Sequence, residues 1–164
     1  MESTDLRMLR AMRTRGHSPA IERAARALGK AGNNGAIWFV LGLVLALADP
    51  SQRESWLIVA VLAPLAIGLN FAVKLIVKRP RPVLEGLPPL GGAPSSLSFP
   101  SAHATSSFAV ATAMTRVDPL GALAFLLAAA LALGRPYLGM HYPSDVLAGA
   151  VLGVLIGLLV PLSI

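Results

Sequence analysis

Three short polar clusters interrupt the apolar second half of this chain. They read Lys74-x6-Arg81-Pro82, Pro100-Ser101-Ala102-His103 and Gly134-Arg135-x5-His141-x3-Asp145. Each cluster stands where an apolar segment begins or ends. Because charge is costly in hydrocarbon, ionisable residues beside a membrane span are functional candidates. Cations, two histidines and one carboxylate together indicate chemistry on a phosphate group.

The cationic residues of these clusters suit the binding of a phosphate ester. An arginine binds phosphate oxygens through two parallel hydrogen bonds, and a lysine acts as a point charge. We therefore expect Lys74, Arg81 and Arg135 to hold the phosphate. Ser101 adds a hydroxyl, and a helix that begins near Ala102 adds unpaired backbone N–H groups, which bind anions.

The two histidines, His103 and His141, can divide the remaining work between a nucleophile and a proton donor. Asp145 lies four residues after His141, so a helix through both would place them on one side. An aspartate that accepts the imidazole N–H fixes the tautomer and stabilises the imidazolium. His141 and Asp145 could also be half of a metal site, but no third ligand stands at a suitable spacing.

Composition places these residues in a membrane protein. The chain has 164 residues, of which 55% are hydrophobic and 13% are charged. An average soluble domain carries roughly 25% charged residues. The net charge of +6 is concentrated at the N-terminus and in the polar clusters, which fits a bilayer with anionic lipids as the partner and not nucleic acid. The absence of cysteine excludes disulfides and thiolate metal sites.

The apolar segments predict an all-α fold, a polytopic membrane helical bundle of about five transmembrane helices. The segments are residues 34–49, 54–77, 101–117, 119–134 and 144–162. The third is rich in Ala, Ser and Thr, as expected for a helix that is buried among others. We expect Trp38 to anchor the first segment at the membrane interface.

Residues 1–33 form a basic N-terminal segment in this interpretation, and residues 34–164 form the transmembrane domain that carries the clusters. The N-terminal segment contains two stretches, residues 3–13 and residues 18–30, in which apolar and basic side chains alternate at the spacing of a helix. Basic amphipathic helices of this kind lie in the membrane interface. A partly disordered leader is the alternative interpretation.

Membrane topology brings the polar clusters to one side of the bilayer. Successive spans cross in opposite directions, so all three clusters fall on the same membrane face. Seven of the fourteen Lys and Arg residues lie in residues 1–33, on that same side. The positive-inside rule then predicts a multi-pass protein of the plasma membrane with its N-terminus and active site at the cytoplasmic face.

A stripe of glycines marks one face of the last segment. Gly149, Gly153 and Gly157 recur every four residues, and such stripes let helices approach closely. We favour a contact within the bundle. A homodimer interface is the alternative.

The residues around the first cluster also have a structural interpretation. Lys78, Arg79 and Arg81 follow an apolar run, as the ordinary charged flank of a span does. The Pro-, Gly- and Ser-rich stretch that follows predicts a loop, and its residues 83–99 could cover a pocket. Three clusters in this order on one face nevertheless favour a functional site.

The three clusters resemble the signature of the type 2 phosphatidic acid phosphatase (PAP2) family. That signature is K-x6-RP, PSGH and SR-x5-H-x3-D, and the resemblance covers residues 55–160. Ala102 stands where the signature has glycine, and Gly134 stands where it has serine. Neither change removes a charged or catalytic group, so the resemblance implies an active enzyme.

The resemblance implies a metal-independent membrane phosphatase with a PAP2-like helical core that hydrolyses a lipid phosphate monoester through a phosphohistidine intermediate. It assigns the nucleophile to His141, the orientation of that ring to Asp145, and proton transfer to His103. It assigns phosphate binding to the remaining cluster residues: Lys74, Arg81, Ser101, Ala102 and Arg135. No metal and no cofactor is implied, because the cations do the charge work of a metal.

The substrate expectation also rests on the resemblance. The Ala-, Arg-, Gly- and Leu-rich composition suggests a high-GC bacterium. Small family members of actinobacteria lead us to expect decaprenylphosphoryl-5-phosphoribose, a polyprenyl-linked sugar phosphate of cell-wall precursor synthesis. Polyprenyl diphosphate, phosphatidylglycerol phosphate and phosphatidic acid are alternatives. Two alternatives belong to other functional classes. Haloperoxidases hold vanadate with the same motifs, but they are soluble. A non-catalytic membrane scaffold would not explain the three clusters.

Overall fold

The computed structural model describes residues 3–91 and 97–163. Within these ranges it contains seven α-helices and no β-strand, which confirms the all-α fold. The helices are α1 (Thr4–Thr14), α2 (Pro19–Ala31), α3 (Ala36–Ala48), α4 (Arg53–Val77), α5 (Ala102–Val117), α6 (Ala124–Tyr137) and α7 (Pro143–Leu159). Short 3-10 turns precede α3, α4 and α6.

Helix α5 forms the centre of the bundle and packs against α4, α6 and α7. Most of its residues are buried, and many of them are small. The hydroxyls of Thr105, Ser106 and Thr112 donate to backbone carbonyls one turn earlier, so these buried polar groups are satisfied within the helix. The expectation that residues 101–117 form a buried helix is confirmed.

The glycine stripe of α7 faces α5 inside the bundle. A Cβ added to Gly153 would lie 2.9 Å from the backbone N of Ala109. A Cβ added to Gly157 would lie 2.6 Å from the Cβ of Thr112. Both distances are shorter than ordinary contact, so a larger residue would push the two helices apart. The stripe therefore serves packing within the bundle, as favoured above.

Length and composition identify two helical segments that could cross a membrane, Pro50–Val77 and Pro119–Tyr137. A third is possible if Pro19–Ala31 and Asn33–Ala48, which meet at 54°, count as one broken span. By this criterion the described residues hold two or three spans, fewer than the five that the sequence predicts, and the number five stays a prediction. The reason is local: α5 is polar and encloses hydroxyl groups, and α7 has only 17 residues.

Trp38 occupies the core and not the membrane interface. Its side chain is fully buried, and its indole Nε1 donates to the Oγ of Ser107 at 2.9 Å. The expectation of an interfacial anchor was therefore wrong. A buried indole N–H needs a hydrogen-bond acceptor, and Ser107 of α5 provides one. Hydropathy does not predict such a pairing between two helices. Trp38 thus fastens α3 to the central helix.

The N-terminal residues fold back over the end of the bundle. The two N-terminal helices, α1 and α2, have serine N-caps: Ser3 accepts from the N of Leu6, and Ser18 accepts from the N of Ile21. Both also pack against α6. The turn into α3 depends on Gly35, which has φ +75° and would place a Cβ 2.6 Å from that of Ala63. This turn brings α2 beside the polar clusters.

Candidate active site

A cavity of about 210 Å³ lies where the polar clusters meet. Six of the predicted site residues line it: Lys74, Arg81, Ala102, His103, Arg135 and His141. They come from α4, the loop after it, α5, α6 and the segment before α7. Three residues of the turn between α2 and α3 also line the cavity: Gly32, Asn33 and Asn34. The bundle thus brings residues that are far apart in sequence to one place.

His141 lies just before α7 and not within it, because the helix begins at Pro143. The expected helical pairing with Asp145 is wrong in that detail, although the side chains are neighbours. Nδ1 of His141 lies 3.4 Å from Oδ2 of Asp145, which is ion-pair range without full hydrogen-bond geometry. Nε2 lies 3.2 Å from NH1 of Arg81. Because an arginine only donates, Nε2 accepts and the ring proton sits on Nδ1.

Asp145 is completely buried behind His141 and is held at each of its oxygens. Oδ1 accepts from NH1 of Arg79 at 2.8 Å, and Oδ2 accepts from the backbone N of Tyr142 at 2.9 Å. Its backbone O accepts from the N of Ser101 at 2.9 Å. These bonds fix the carboxylate and tie the start of α7 to the start of α5.

His103 stands in the first turn of α5, and the N-terminal residues hold its ring. Nε2 lies 3.0 Å from the backbone O of Gly29 in α2. A carbonyl only accepts, so Nε2 carries a proton and donates to it. A Cβ on Gly32 would lie 3.0 Å from Cδ2 of the same ring, so the chain passes close over His103.

Positive charge collects around the cavity. Lys74 is 5% exposed, and its Nζ donates to the O of Leu97 at 2.7 Å. Arg81 donates from NH1 to the O of Met140 at 2.5 Å. Arg135 is 6% exposed, and its Nε has no hydrogen-bond partner among the described residues. No Asp or Glu is among the described residues that line the cavity, so its environment favours an anion.

Ser101 is completely buried and is not among the described residues that line the cavity. Its backbone N is engaged by the O of Asp145, which holds it between α5 and α7. Its hydroxyl has no hydrogen-bond partner in residues 3–91 and 97–163. Ser101 directly precedes Ala102, which lines the cavity, and its role in phosphate binding stays a prediction.

Burial sets the protonation of the residues outside the helices. It lowers the pKa of His141 from 6.5 to about 4, against the opposing effect of the contact with Asp145. Arg81 lowers the pKa of His141 further by its charge. The ring is therefore neutral at physiological pH, as a nucleophile must be. Burial also lowers the pKa of Arg81, and Asp145 opposes that shift.

Sequence reasoning missed Arg79, which it treated as part of a charged flank. Its guanidinium bonds Asp145 and also the Oγ of Ser144 at 2.7 Å, and it lies 3.8 Å above the ring centroid of Tyr142. The signal was present as the repeated Arg-Pro in Lys78-Arg79-Pro80-Arg81-Pro82. Spacing alone could not say which of the two arginines faces the cavity and which supports it.

The described residues show two more features around the cavity. No group of three His, Cys, Asp or Glu side chains there is placed to hold a metal ion. The loop 83–99 is expected to cover the pocket. Its residues 92–96 lie outside the part of the chain that the structure describes. Its described residues Leu90 and Gly91 line a neighbouring cavity.

Comparisons with known proteins agree with this geometry. The decaprenylphosphoryl-5-phosphoribose phosphatase of Mycolicibacterium smegmatis is 43% identical over 131 residues, which are 80% of this chain and 72% of that protein. The protein of the same name from Mycobacterium tuberculosis is 39% identical over 142 residues, 87% of this chain and 80% of that protein. The crystal structure of Aquifex aeolicus LpxE has a TM-score of 0.73 at 25% identity, covering 96% of this chain and 94% of that chain.

The family model described as the PAP2 superfamily matches residues 53–164. All three polar clusters fall within that range, and six of their residues line the cavity. The chain therefore belongs to the PAP2 superfamily.

Proposed function

We propose that this protein is a membrane lipid phosphatase that removes the 5-phosphate of decaprenylphosphoryl-5-phosphoribose. Two relatives with that activity in their names support the choice of substrate. The observation that carries the reaction class is the shared cavity, where the accepting Nε2 of His141, a second histidine and three cations meet. Polyprenyl diphosphate, phosphatidylglycerol phosphate and phosphatidic acid are alternative substrates for the same chemistry.

In the first step, Nε2 of His141 attacks phosphorus and forms an N–P bond. The bond from phosphorus to the ester oxygen breaks, and a protonated His103 gives that oxygen its proton. Lys74, Arg81 and Arg135 neutralise the charge on the three equatorial oxygens. Arg81, which donates to Nε2 before substrate binds, transfers this hydrogen bond to a phosphoryl oxygen.

In the second step, water attacks the phosphohistidine. The N–P bond breaks, His103 takes a proton from the water, and inorganic phosphate leaves. While His141 is phosphorylated its ring carries a positive charge, which Oδ2 of Asp145 stabilises from beside Nδ1. The neutral His141 is then ready for another cycle.

The reaction is tested by phosphate release from a lipid panel by purified protein in detergent micelles. We expect the highest kcat/KM for the phosphoribose lipid among the four candidates. Rapid quenching with radiolabelled substrate should trap an acid-labile phosphoenzyme in the wild type and in H17N, but not in H141N. His17 is the matched control because it stacks on Tyr137 away from the cavity. Phosphate release from none of the lipids would contradict the proposed enzyme, and preference for another lipid would reassign its substrate.

We also propose that helices α3–α7 cross the plasma membrane and that the active site faces the cytoplasm. Residues 1–33 then form a basic segment at the interface with anionic lipid, before the membrane domain of residues 34–164. The opposite end of the bundle supports this orientation, because it carries few cations. One of them, Arg116, donates to the O of Gly157 and to the O of Val160 at the end of α7.

Orientation can be measured with single cysteines, because the native chain has none. We expect a membrane-impermeant maleimide to label S163C on intact cells and R15C only after lysis. The reverse pattern would place the active site on the outer face. Labelling of both on intact cells would contradict an odd number of spans.

A further inference from the structure

Helix α1, which lies outside the residues that match the family model, brings a carboxylate to the catalytic cluster. Oδ2 of Asp5 accepts from NH2 of Arg79 at 2.7 Å. Its Oδ1 accepts from the backbone N of Ser144 at 3.1 Å, and Oδ2 also accepts from the Ser144 hydroxyl. Ser144 immediately precedes Asp145, so Asp5 contacts both the arginine and the helix turn that hold the catalytic aspartate.

Arg79 bridges the two carboxylates with different nitrogens. NH1 donates to Asp145 at 2.8 Å, and NH2 donates to Asp5 at 2.7 Å. The planar guanidinium can satisfy both in one orientation. Burial disfavours the charge on Arg79, but Asp5 and Asp145 outweigh it and raise the pKa of this arginine.

The second carboxylate changes what Asp145 can do. With Asp5 present, one cation is shared by two carboxylates, so the group keeps a net negative charge behind His141. Without Asp5, Arg79 would pair with Asp145 alone and neutralise its charge. Asp145 would then stabilise the phosphorylated ring of His141 less. The guanidinium would also lose the contact that fixes its plane.

We propose that Asp5 is a positioning residue that orients Asp145 through Arg79. The N-terminal helix then completes the catalytic apparatus of the membrane domain. Asp5 does not line the catalytic cavity, so it acts on the rate of the chemical steps and not on substrate binding. This inference rests on the proposed phosphohistidine chemistry.

The test is a double-mutant cycle on the full-length protein, with phosphate release as the readout. We expect D5N to lower kcat about 10- to 100-fold with KM unchanged, by analogy with the loss when hydrogen-bond partners of metal ligands are removed. R79Q should lower kcat at least as much. If Asp5 acts through Arg79, the double variant D5N/R79Q should be no slower than R79Q alone.

Two controls separate positioning from general damage. D49N makes the same substitution at an aspartate that accepts from Trp56, in the turn before α4, and should keep the wild-type kcat. If D5N does not fold, D5E keeps the charge at a shifted position and should lower kcat without changing KM. The inference would be overturned if the loss of kcat in D5N/R79Q equalled the product of the losses in the two single variants. It would also be overturned if D5N raised KM and left kcat unchanged. Absence of wild-type turnover would instead contradict the proposed function.

A second cavity carries an independent inference. It has a volume of about 440 Å³ and shares Asn33 and Arg135 with the catalytic cavity. Arg26 and Lys30 of α2 also line it, and none of the described residues that line it is acidic. The ion pair of Arg26 with Glu22 is loose, at 3.6 Å. Both cations therefore remain able to bind a ligand.

Size indicates what this second cavity holds. Pockets for whole small ligands measure roughly 300–1,000 Å³, so the catalytic cavity of about 210 Å³ is smaller than a site for a complete headgroup. The rest of a polar headgroup must lie beside it. The adjoining cavity is the larger of the two and is positively charged.

We infer that Arg26 and Lys30 form a subsite for a second anionic group of the substrate, separated from the reacting phosphate by a polar spacer. In the proposed substrate that group is the phosphodiester that links ribose to the lipid. This inference rests on the proposed function. It predicts that the protein distinguishes substrates with two anionic groups from lipids with a single phosphate.

Soluble inhibitors test this subsite on whichever lipid phosphate the protein hydrolyses. We expect ribose 1,5-bisphosphate to inhibit the wild type about tenfold more strongly than ribose 5-phosphate, and R26Q/K30Q to lose that preference. The control R15Q/R23Q removes two exposed arginines that line neither cavity and should keep it. Equal inhibition of the wild type by both sugars, or an unchanged preference in R26Q/K30Q, would overturn the inference. Inability to hydrolyse any lipid phosphate would contradict the proposed function instead.

Discussion

Gly149→Ala should slow catalysis as well as destabilise the bundle. Gly149 lies one turn after Asp145 in α7, against the first turn of α5. A Cβ there would lie 2.7 Å from the backbone O of Ser101, whereas ordinary contact begins near 3.4 Å. The start of α5 must therefore retreat by roughly 0.7 Å. The carbonyl cannot yield alone, because it accepts from the N and Oγ1 of Thr105 at 2.9 and 3.1 Å.

The expected magnitudes follow from that displacement. Overpacking by one methyl group against a backbone atom costs about 1–3 kcal/mol of unfolding free energy. The same movement shifts His103, in the first turn of α5, away from His141 and Asp145 at the start of α7. Misplacement of a reacting group by about 1 Å costs on the order of 100-fold in rate. We therefore expect G149A to lower kcat by about 10- to 100-fold.

Two other glycines serve as matched controls. G157A meets the Cβ of Thr112 at 2.6 Å at the far end of α7, so it should lower the melting temperature but keep kcat. G68A meets no atom within 4 Å, so it should keep kcat and should not lower the melting temperature, since helix propensity adds up to about 1 kcal/mol of stability. The assays are thermal unfolding in detergent and phosphate release. Wild-type kcat in G149A, or an equal loss of kcat in G157A, would refute the reasoning.

Other perturbations separate the chemistry of the site from its packing. H103A removes the proposed proton donor and should lower phosphate release about 10²- to 10⁴-fold; a variant that keeps most of its activity would contradict the assignment. Because burial lowers the pKa of His141 from 6.5 to about 4, the unfolded state binds more protons between these pH values. The unfolding free energy should therefore fall as pH decreases from 6.5 to 4, and H141N should flatten this dependence in pH-resolved melts. W38F removes the bond to Ser107 and should cost about 1–3 kcal/mol of stability, measured by denaturant unfolding, with KM unchanged. Inorganic phosphate should raise the melting temperature of the wild type but not of K74Q, and equal shifts would argue against an anion site there.

The convergence of the three clusters could be predicted from sequence because it depends on coarse properties. Apolar segments between the clusters must be helices, and alternate helix ends fall on the same side of a bundle. These two facts place Lys74, His103 and Arg135 near one another without any detailed packing. The structure places all three around one cavity, so helix order alone is enough to locate this site.

Contacts between distant residues could not be predicted in the same way. Asp5 and Arg79 are 74 positions apart, and nothing in the spacing of either segment indicates their ion pair. Arg79 and Arg81 both precede proline, yet one supports Asp145 and the other meets His141. Only the path of the loop decides which arginine turns inward. For the same reason the sequence could not predict that the backbone N of Ser101 donates to the O of Asp145 in α7.

The sequence also misjudged the environment of Trp38. Trp38 was expected at the interface because tryptophan is common there, but its partner Ser107 lies on the buried helix α5. A central helix can be short and polar, because its neighbours and not lipid surround it. Hydropathy measures contact with lipid, so it identifies the outer helices better than the central one.

The separation of charge across the site explains why the N-terminal segment belongs to it. The described lining of the cavity gathers cations with no carboxylate among them, an arrangement that opposes folding until an anion binds. Compensating negative charge therefore has to lie behind the cavity, where it cannot compete with phosphate. Asp145 supplies one carboxylate there, and Asp5 supplies a second through Arg79. The family model begins at residue 53, so it includes Arg79 and Asp145 but not Asp5, although Asp5 and Asp145 bind the same guanidinium.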